Sequence, residues 1–167
     1  MAELDKEVRH AVVLASASPR RRVLLAMLQL GVDVVPADID EAATAVDLNP
    51  LEAVTAVARA KARAVCGQGR PVLAADTVVV LDDEILGKPA DRDHATTMLQ
   101  RLSGKTARVL SSVALKLPDG SLDDRAAITT VRIDHLDPAA ISAYLNTGEA
   151  DDKAGALAVQ GAAKAFV

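Results

Sequence analysis

A soluble, mixed α/β protein, built as one domain or one domain of two lobes, is the class this sequence predicts, and three observations predict it. The 167 residues are half apolar and a quarter charged, enough to bury a sizeable core and too apolar for wholesale disorder. No run of 18 or more uncharged apolar residues occurs, so a membrane-spanning helix is excluded. Short apolar runs of strand length alternate with helix-length segments that open at capping residues and stop at glycine.

Ala11 to Ala15 is short enough for a buried strand, and Ser16-Ala17-Ser18-Pro19-Arg20-Arg21-Arg22 then changes the period. Ser18 as N-cap, Pro19 as first helical residue and Gly31 as stop predict a helix whose apolar positions are Val23, Leu25, Ala26, Leu28 and Leu30. Val32 to Val35 reads as a strand, and Ala37 to Asp47 as an acidic loop of small residues. Asn49-Pro50-Leu51-Glu52 has the form of a capping box and opens a helix ending at Gly67. Leu51, Val54, Ala58 and Val65 share one face of that helix, Glu52, Arg59 and Arg63 lie opposite, and Lys61 falls within the apolar face.

Pro71 to Leu81 is the strongest strand signal, interrupted only by Asp76 and Thr77 and followed by an Asp82-Asp83 turn and a return strand, Glu84 to Leu86. Asp91 caps a helix carrying Ala95, Met98, Leu99 and Leu102, which Gly104 ends. Val109 to Leu117 and Ala126 to Ile133, joined through Pro118-Asp119-Gly120-Ser121, predict an antiparallel pair. Asp137-Pro138 opens a last helix through Leu145, stopped at Gly148.

Composition narrows the function. One Tyr, one Phe and no Trp leave no stacking platform for single-stranded nucleic acid. A formal charge of −4 and a pI near 5.3 give no global attraction for nucleic acid or an anionic membrane, so neither is expected as a partner and any anion site must be local. Cys66 has no internal partner, and His10, His94 and His135 form no zinc pattern. A reducing cytoplasm fits, and the charged segment Met1 to His10 does not read as a secretory signal.

Three local rules are broken. Helix N-termini favour acidic residues, yet Arg20, Arg21 and Arg22 open the first helix beside Ser16 and Ser18. Serines, unpaired N–H groups and cations converging on one turn suit a phosphate, although an Arg triplet can equally be a solvated basic turn. Lys61 on an apolar stripe and Asp76 inside an apolar strand are the other two anomalies, since buried charges need partners. Lys61 could snorkel to the helix edge, and Asp76 could simply pair with it or with an Arg. A carboxylate pulled one way by desolvation and the other by a cation or metal is also a candidate general base, the best in this chain. Lys88, between Gly87 and Pro89, is a further cation that a turn could aim at the sheet.

In order along the chain, Ser16-Ala17-Ser18-Pro19-Arg20-Arg21, Asp40-Glu41, Ala60-Lys61-Ala62, Asp76-Thr77-Val78-Val79, Gly87-Lys88-Pro89, Arg101-Leu102-Ser103-Gly104, Asp152-Lys153-Ala154-Gly155-Ala156 and Gln160-Gly161 resemble the Maf family of nucleotide pyrophosphatases. The resemblance implies a two-lobed mixed α/β fold with an elongated twisted sheet flanked by helices, of the kind shared with Ham1 and inosine triphosphatase. A nucleotide would lie in the cleft between the lobes, usually in a homodimer. The implied reaction is hydrolysis of a nucleoside triphosphate to the monophosphate and pyrophosphate with Mg²⁺ or Mn²⁺. Asp76 would activate the water; Ser16, Arg20, Arg21, Lys61 and Lys88 would hold the phosphates; Glu41 would help bind substrate or share the metal with Asp76; Thr77 would contact the substrate; Gln160 would lie near the base. Pro19 directly before Arg20, and Thr77 after Asp76, resemble the branch acting on dTTP and UTP, since the branch preferring 7-methyl-GTP has an extra residue before its arginines and Gln after the aspartate. House-cleaning of pyrimidine nucleotides and a link to septum formation are implied too, with a catalytically weak regulator of division as the alternative. Two departures stand out: Ala107 where the family usually has His, and Leu157 where it has Tyr. The expected domain is 1–167 as one two-lobed unit lacking the usual final strand and helix, so a bare sheet edge and an uncovered apolar surface are expected.

Overall fold

Strand β1 (His10–Leu14) is followed by α1 (Pro19–Met27), β2 (Gly31–Val34), α2 (Glu41–Thr44), α3 (Pro50–Ala64), β3 (Val72–Leu81), β4 (Glu84–Leu86), α4 (Arg92–Leu102), β5 (Thr106–Lys116), β6 (Leu122–Arg132) and α5 (Pro138–Leu145). Two 3₁₀ turns, Ala154–Ala156 and Ala162–Ala165, come last. These elements belong to a computed structural model that describes residues 10–167; the reading of the charged segment before His10 lies outside the described residues. The strands form a six-stranded sheet in the order β2-β1-β3-β5-β6, with β4 paired to β3. β1 runs parallel to β2 and to β3, whereas β3 and β4 are antiparallel. The mixed α/β expectation holds.

The chain divides into two compact units. The first comprises residues 10–47, 55–76 and 112–125, and its core is Val13, Ala15, Ala58, Ala62, Val65, Val72, Ala74 and Ala114. These are small side chains, so α3 can lie close against β1 and β3. Lys116 closes the C-terminal end of α3, its ammonium donating to the Val65 carbonyl at 2.6 Å, where a cation suits the helix dipole.

The second unit comprises residues 48–54, 77–111 and 126–167. Its larger core packs Leu81, Leu99, Leu102, Ile133, Tyr144 and Ala163 among others. The only Tyr and the only Phe, Tyr144 and Phe166, meet edge to face with centroids 5.2 Å apart. The Tyr144 hydroxyl donates to the Ala156 carbonyl at 2.8 Å and accepts from the Ala158 N–H at 2.9 Å. Gly155 adopts φ +61°, and a Cβ there would come within 2.9 Å of Val79, so neither backbone nor space admits a larger residue. Ala107 and Leu157, the two departures from the family pattern, are both buried in this core.

Three of the four expected N-caps form, Ser18 being the exception. Asn49 accepts from the N–H groups of Leu51 and Glu52 at 3.1 and 3.0 Å while Glu52 reaches back to the Asn49 N–H; Asp91 and Asp137 cap α4 and α5. Asp82 and Asp83 both have positive φ, as a tight turn between twisted strands requires. Four boundaries differ by more than one residue. α1 ends at Met27 because Gln29 takes φ 58° and the Leu30 and Gln29 N–H groups return to Leu25 and Ala26, a Schellman closure made without glycine; Gly31 instead starts β2. α3 ends at Ala64 rather than Gly67. β5 and β6 begin at Thr106 and Leu122, earlier than the apolar runs, because backbone pairing continues through polar residues. On α1 only Leu25 is buried; Val23 and Leu28 are exposed, as are Leu24 and Met27. Leu51 of α3 is exposed as well.

Replacing Tyr144 with Phe leaves two buried backbone groups unpaired and is expected to cost about 1–3 kcal/mol in urea unfolding. Burial raises the Tyr144 pKa above its usual value, so the unfolded phenol, ionising near pH ~10, loses its proton first. Stability therefore declines as pH rises beyond that point, and the decline should shrink in Tyr144→Phe; an identical alkaline profile would count against this assignment.

Candidate active site in the first unit

The turn between β1 and α1 places Ser16 and Arg21 together. Ser16 is buried; its Oγ accepts from Arg21 Nη1 at 2.8 Å and from the Ser18 N–H at 3.3 Å. Ser18 sits at the N-cap position but makes no side-chain capping bond. Burial pulls the Arg21 pKa below its ordinary value, the nearby Asp76 carboxylate pushes it back up, Arg20 lowers it and Glu41 raises it. The guanidinium is thus fixed in the field of two carboxylates. Arg20 is exposed at the same turn.

Strand alternation puts Asp76 on the face of β3 shared by buried Val72 and Ala74, where α3 brings Lys61. Lys61 and Asp76 are only 9% and 8% exposed, and Lys61 Nζ lies 2.9 Å from Asp76 Oδ1. The same ammonium lies 2.8 Å from Oε1 of Glu41, the first residue of α2. One cation therefore holds two carboxylates, and no buried side-chain nitrogen or oxygen among the described residues lacks a hydrogen-bond partner. The pairing of Asp76 with Lys61 that the sequence left open is realised, and it coexists with a site in which three charge-bearing elements converge.

Asp76 and Glu41 are hard oxygen donors gathered on one point. Among the described residues no three His, Cys, Asp or Glu side chains could hold a metal by themselves. Two carboxylates nevertheless fit a magnesium-like ion, which commonly takes one or two from protein and completes its shell with water and substrate phosphates.

Three expected residues lie in the second unit. Thr77, exposed on the face of β3 opposite to Asp76, shares a 3.1 Å hydrogen bond with Ser111. Lys88, exposed, lines a cavity of about 280 Å³ with His94 and with the paired Glu84 and Arg101. Gln160 is exposed in a turn where Glu149 accepts from the Ala162 N–H at 2.7 Å. Sequence reasoning missed α2, the Ser16 to Arg21 bond and the Ser111 partner of Thr77. Only α2 left a signal, an aspartate at Asp40 ahead of Glu41 and Thr44.

Residues 11–167 match the family described as Maf-like protein. A protein of Anaeromyxobacter dehalogenans strain 2CP-1 named dTTP/UTP pyrophosphatase is 48% identical over 159 residues, spanning 93% of this chain and 80% of its own length. Proteins of the same name from Nitratidesulfovibrio vulgaris, 44% identical over 91% of this chain and 73% of their own, and Ruminiclostridium cellulolyticum, 40% identical over 93% and 82%, are also similar. In fold, the chain resembles a nucleoside-triphosphatase, dITP/XTP pyrophosphatase, of Mycobacterium abscessus, with TM-score 0.51, 21% identity and 73% of each chain covered. Among the described residues no helix is long and apolar enough to cross a membrane.

Lys61→Met should destabilise the protein by about 3 kcal/mol, because Asp76 would keep a buried charge without its ammonium. Adding Asp76→Asn to Lys61→Met should recover part of that loss in the same urea titration. A loss below about 1 kcal/mol, of the size of an exposed pair, would mean that Asp76 is solvated instead.

Proposed function

The chain belongs to the Maf-like protein family, and we propose that it hydrolyses dTTP and UTP to the monophosphate and pyrophosphate. The observation that carries this reading is the buried Asp76, held by Lys61 and facing the field of Arg21, in a chain 40–48% identical to proteins named for that activity.

With Oδ1 engaged by Lys61, the other oxygen of Asp76 takes a proton from water as the water oxygen bonds to phosphorus and the bond to pyrophosphate breaks. Ser16, Arg20, Arg21 and Lys61 hold phosphate oxygens, and their fixed positions provide compensation without reorganisation at the moment of reaction. Asp76 and Glu41 would hold Mg²⁺ or Mn²⁺, and the ion would supply further charge compensation on those oxygens. Thr77, Lys88 and Gln160 are substrate contacts in this reading by resemblance. We place the enzyme in the cytoplasm as a homodimer, one domain of two lobes clearing surplus or modified pyrimidine nucleotides. The link to septum formation is carried in the same way.

Pyrophosphate release from dTTP and UTP with Mg²⁺ is the test. Turnover is expected, and it should fall by about 10²-fold or more in Asp76→Asn while nucleotide binding survives. Arg20→Ala and Lys88→Ala should raise KM, lower kcat or both; wild-type kinetics would remove that residue from the site. Tight binding by the wild-type protein without turnover would favour a nucleotide-binding regulator instead.

A further inference from the structure

Glu41 reaches Lys61 from an element with little to hold it in place. Helix α2 has four residues and none is buried, and the Glu41 side chain is 57% exposed. A single helical turn is not stable by itself in water, and this one buries none of its residues. What remains, beside the Glu41–Lys61 pair itself, is the hydrogen bonding of Asp40. Its Oδ1 accepts from the Ala43 N–H at 2.9 Å; its carbonyl accepts from the Thr44 hydroxyl at 2.7 Å and the Thr44 N–H at 3.1 Å. Asp40 has extended backbone geometry (φ −80°, ψ 98°), as an N-cap does.

We infer that Asp40 is a positioning residue: by capping α2 it holds Glu41 on the Lys61 ammonium, and so divides that ammonium between Glu41 and Asp76. Without the cap the turn opens, Glu41 swings into solvent, and Lys61 is left to Asp76 alone. The inference rests on the proposed role of Glu41 in substrate or metal binding. It assigns Asp40 no contact with either, so its side chain acts as a hydrogen-bond acceptor and its charge is dispensable.

Substitution separates cap from charge, because Asn is as good an N-cap as Asp and Ala is not. Asp40→Ala should raise KM for Mg²⁺–dTTP about fivefold, the scale of a lost cap, with kcat within about twofold. Asp40→Asn should restore KM, and Asp40→Ala should add nothing in a Glu41→Gln background. Amide exchange at Ala43 and Thr44, read without turnover, should accelerate in Asp40→Ala and revert in Asp40→Asn. An Asn variant as impaired as the Ala variant would overturn the inference, since the charge would then be what matters. Wild-type kinetics for Asp40→Ala, a further KM increase when it is added to Glu41→Gln, or unchanged amide exchange would overturn it equally. If the wild-type protein releases no pyrophosphate, the functional reading fails, and the exchange measurement alone decides whether Asp40 holds α2.

Discussion

A single ammonium, that of Lys61, sets the geometry on which the rest of the site depends. It is buried, it touches Asp76 and Glu41 at once, and leaving it unpaired would cost several kcal/mol. Three elements that are remote in sequence must therefore converge: a helix for Lys61, a strand for Asp76 and a short turn of helix for Glu41. A charged group that must be neutralised fixes its neighbours more tightly than apolar contacts do, because its alternative partners are few.

Packing makes that convergence possible. Ala58, Ala62 and Ala74 are fully buried, and side chains this small let α3 approach β3 closely enough for Lys61 to meet a carboxylate on the strand. The Ser16 to Arg21 bond serves the neighbouring cation in the same way, giving the guanidinium one orientation. The resting charges nearly balance, with Lys61 and Arg21 set against Asp76 and Glu41. An incoming polyphosphate and its metal would thus exchange partners with groups already in place, which limits reorganisation.

Much of this was legible in the sequence, and the reason is range. Caps at Asn49, Asp91 and Asp137 and the two-aspartate turn at Asp82 and Asp83 depend on a few neighbouring residues, so pattern identifies them. Lys61 and Asp76 stood out because each breaks an apolar pattern, which signals a partner without naming it. The Schellman closure at Gln29 was not legible, since glycine is the usual residue there and Gly31 lay close by. Nor was the exposure of α1, because hydrophobic spacing says which residues could be buried and not whether anything covers them. Helix α2 escaped because one turn is too short to show a period, and Asp40 ahead of Glu41 and Thr44 was its one local signal.

The most direct measurement is a crystal structure with Mg²⁺ and a dTTP analogue whose α–β bridge cannot be hydrolysed. The account predicts phosphate oxygens within hydrogen-bonding distance of Lys61 Nζ and the Arg21 guanidinium, with the Asp76 carboxylate facing the phosphorus to be attacked. An analogue bound elsewhere, with Lys61, Asp76 and Glu41 still paired only to one another, would contradict it.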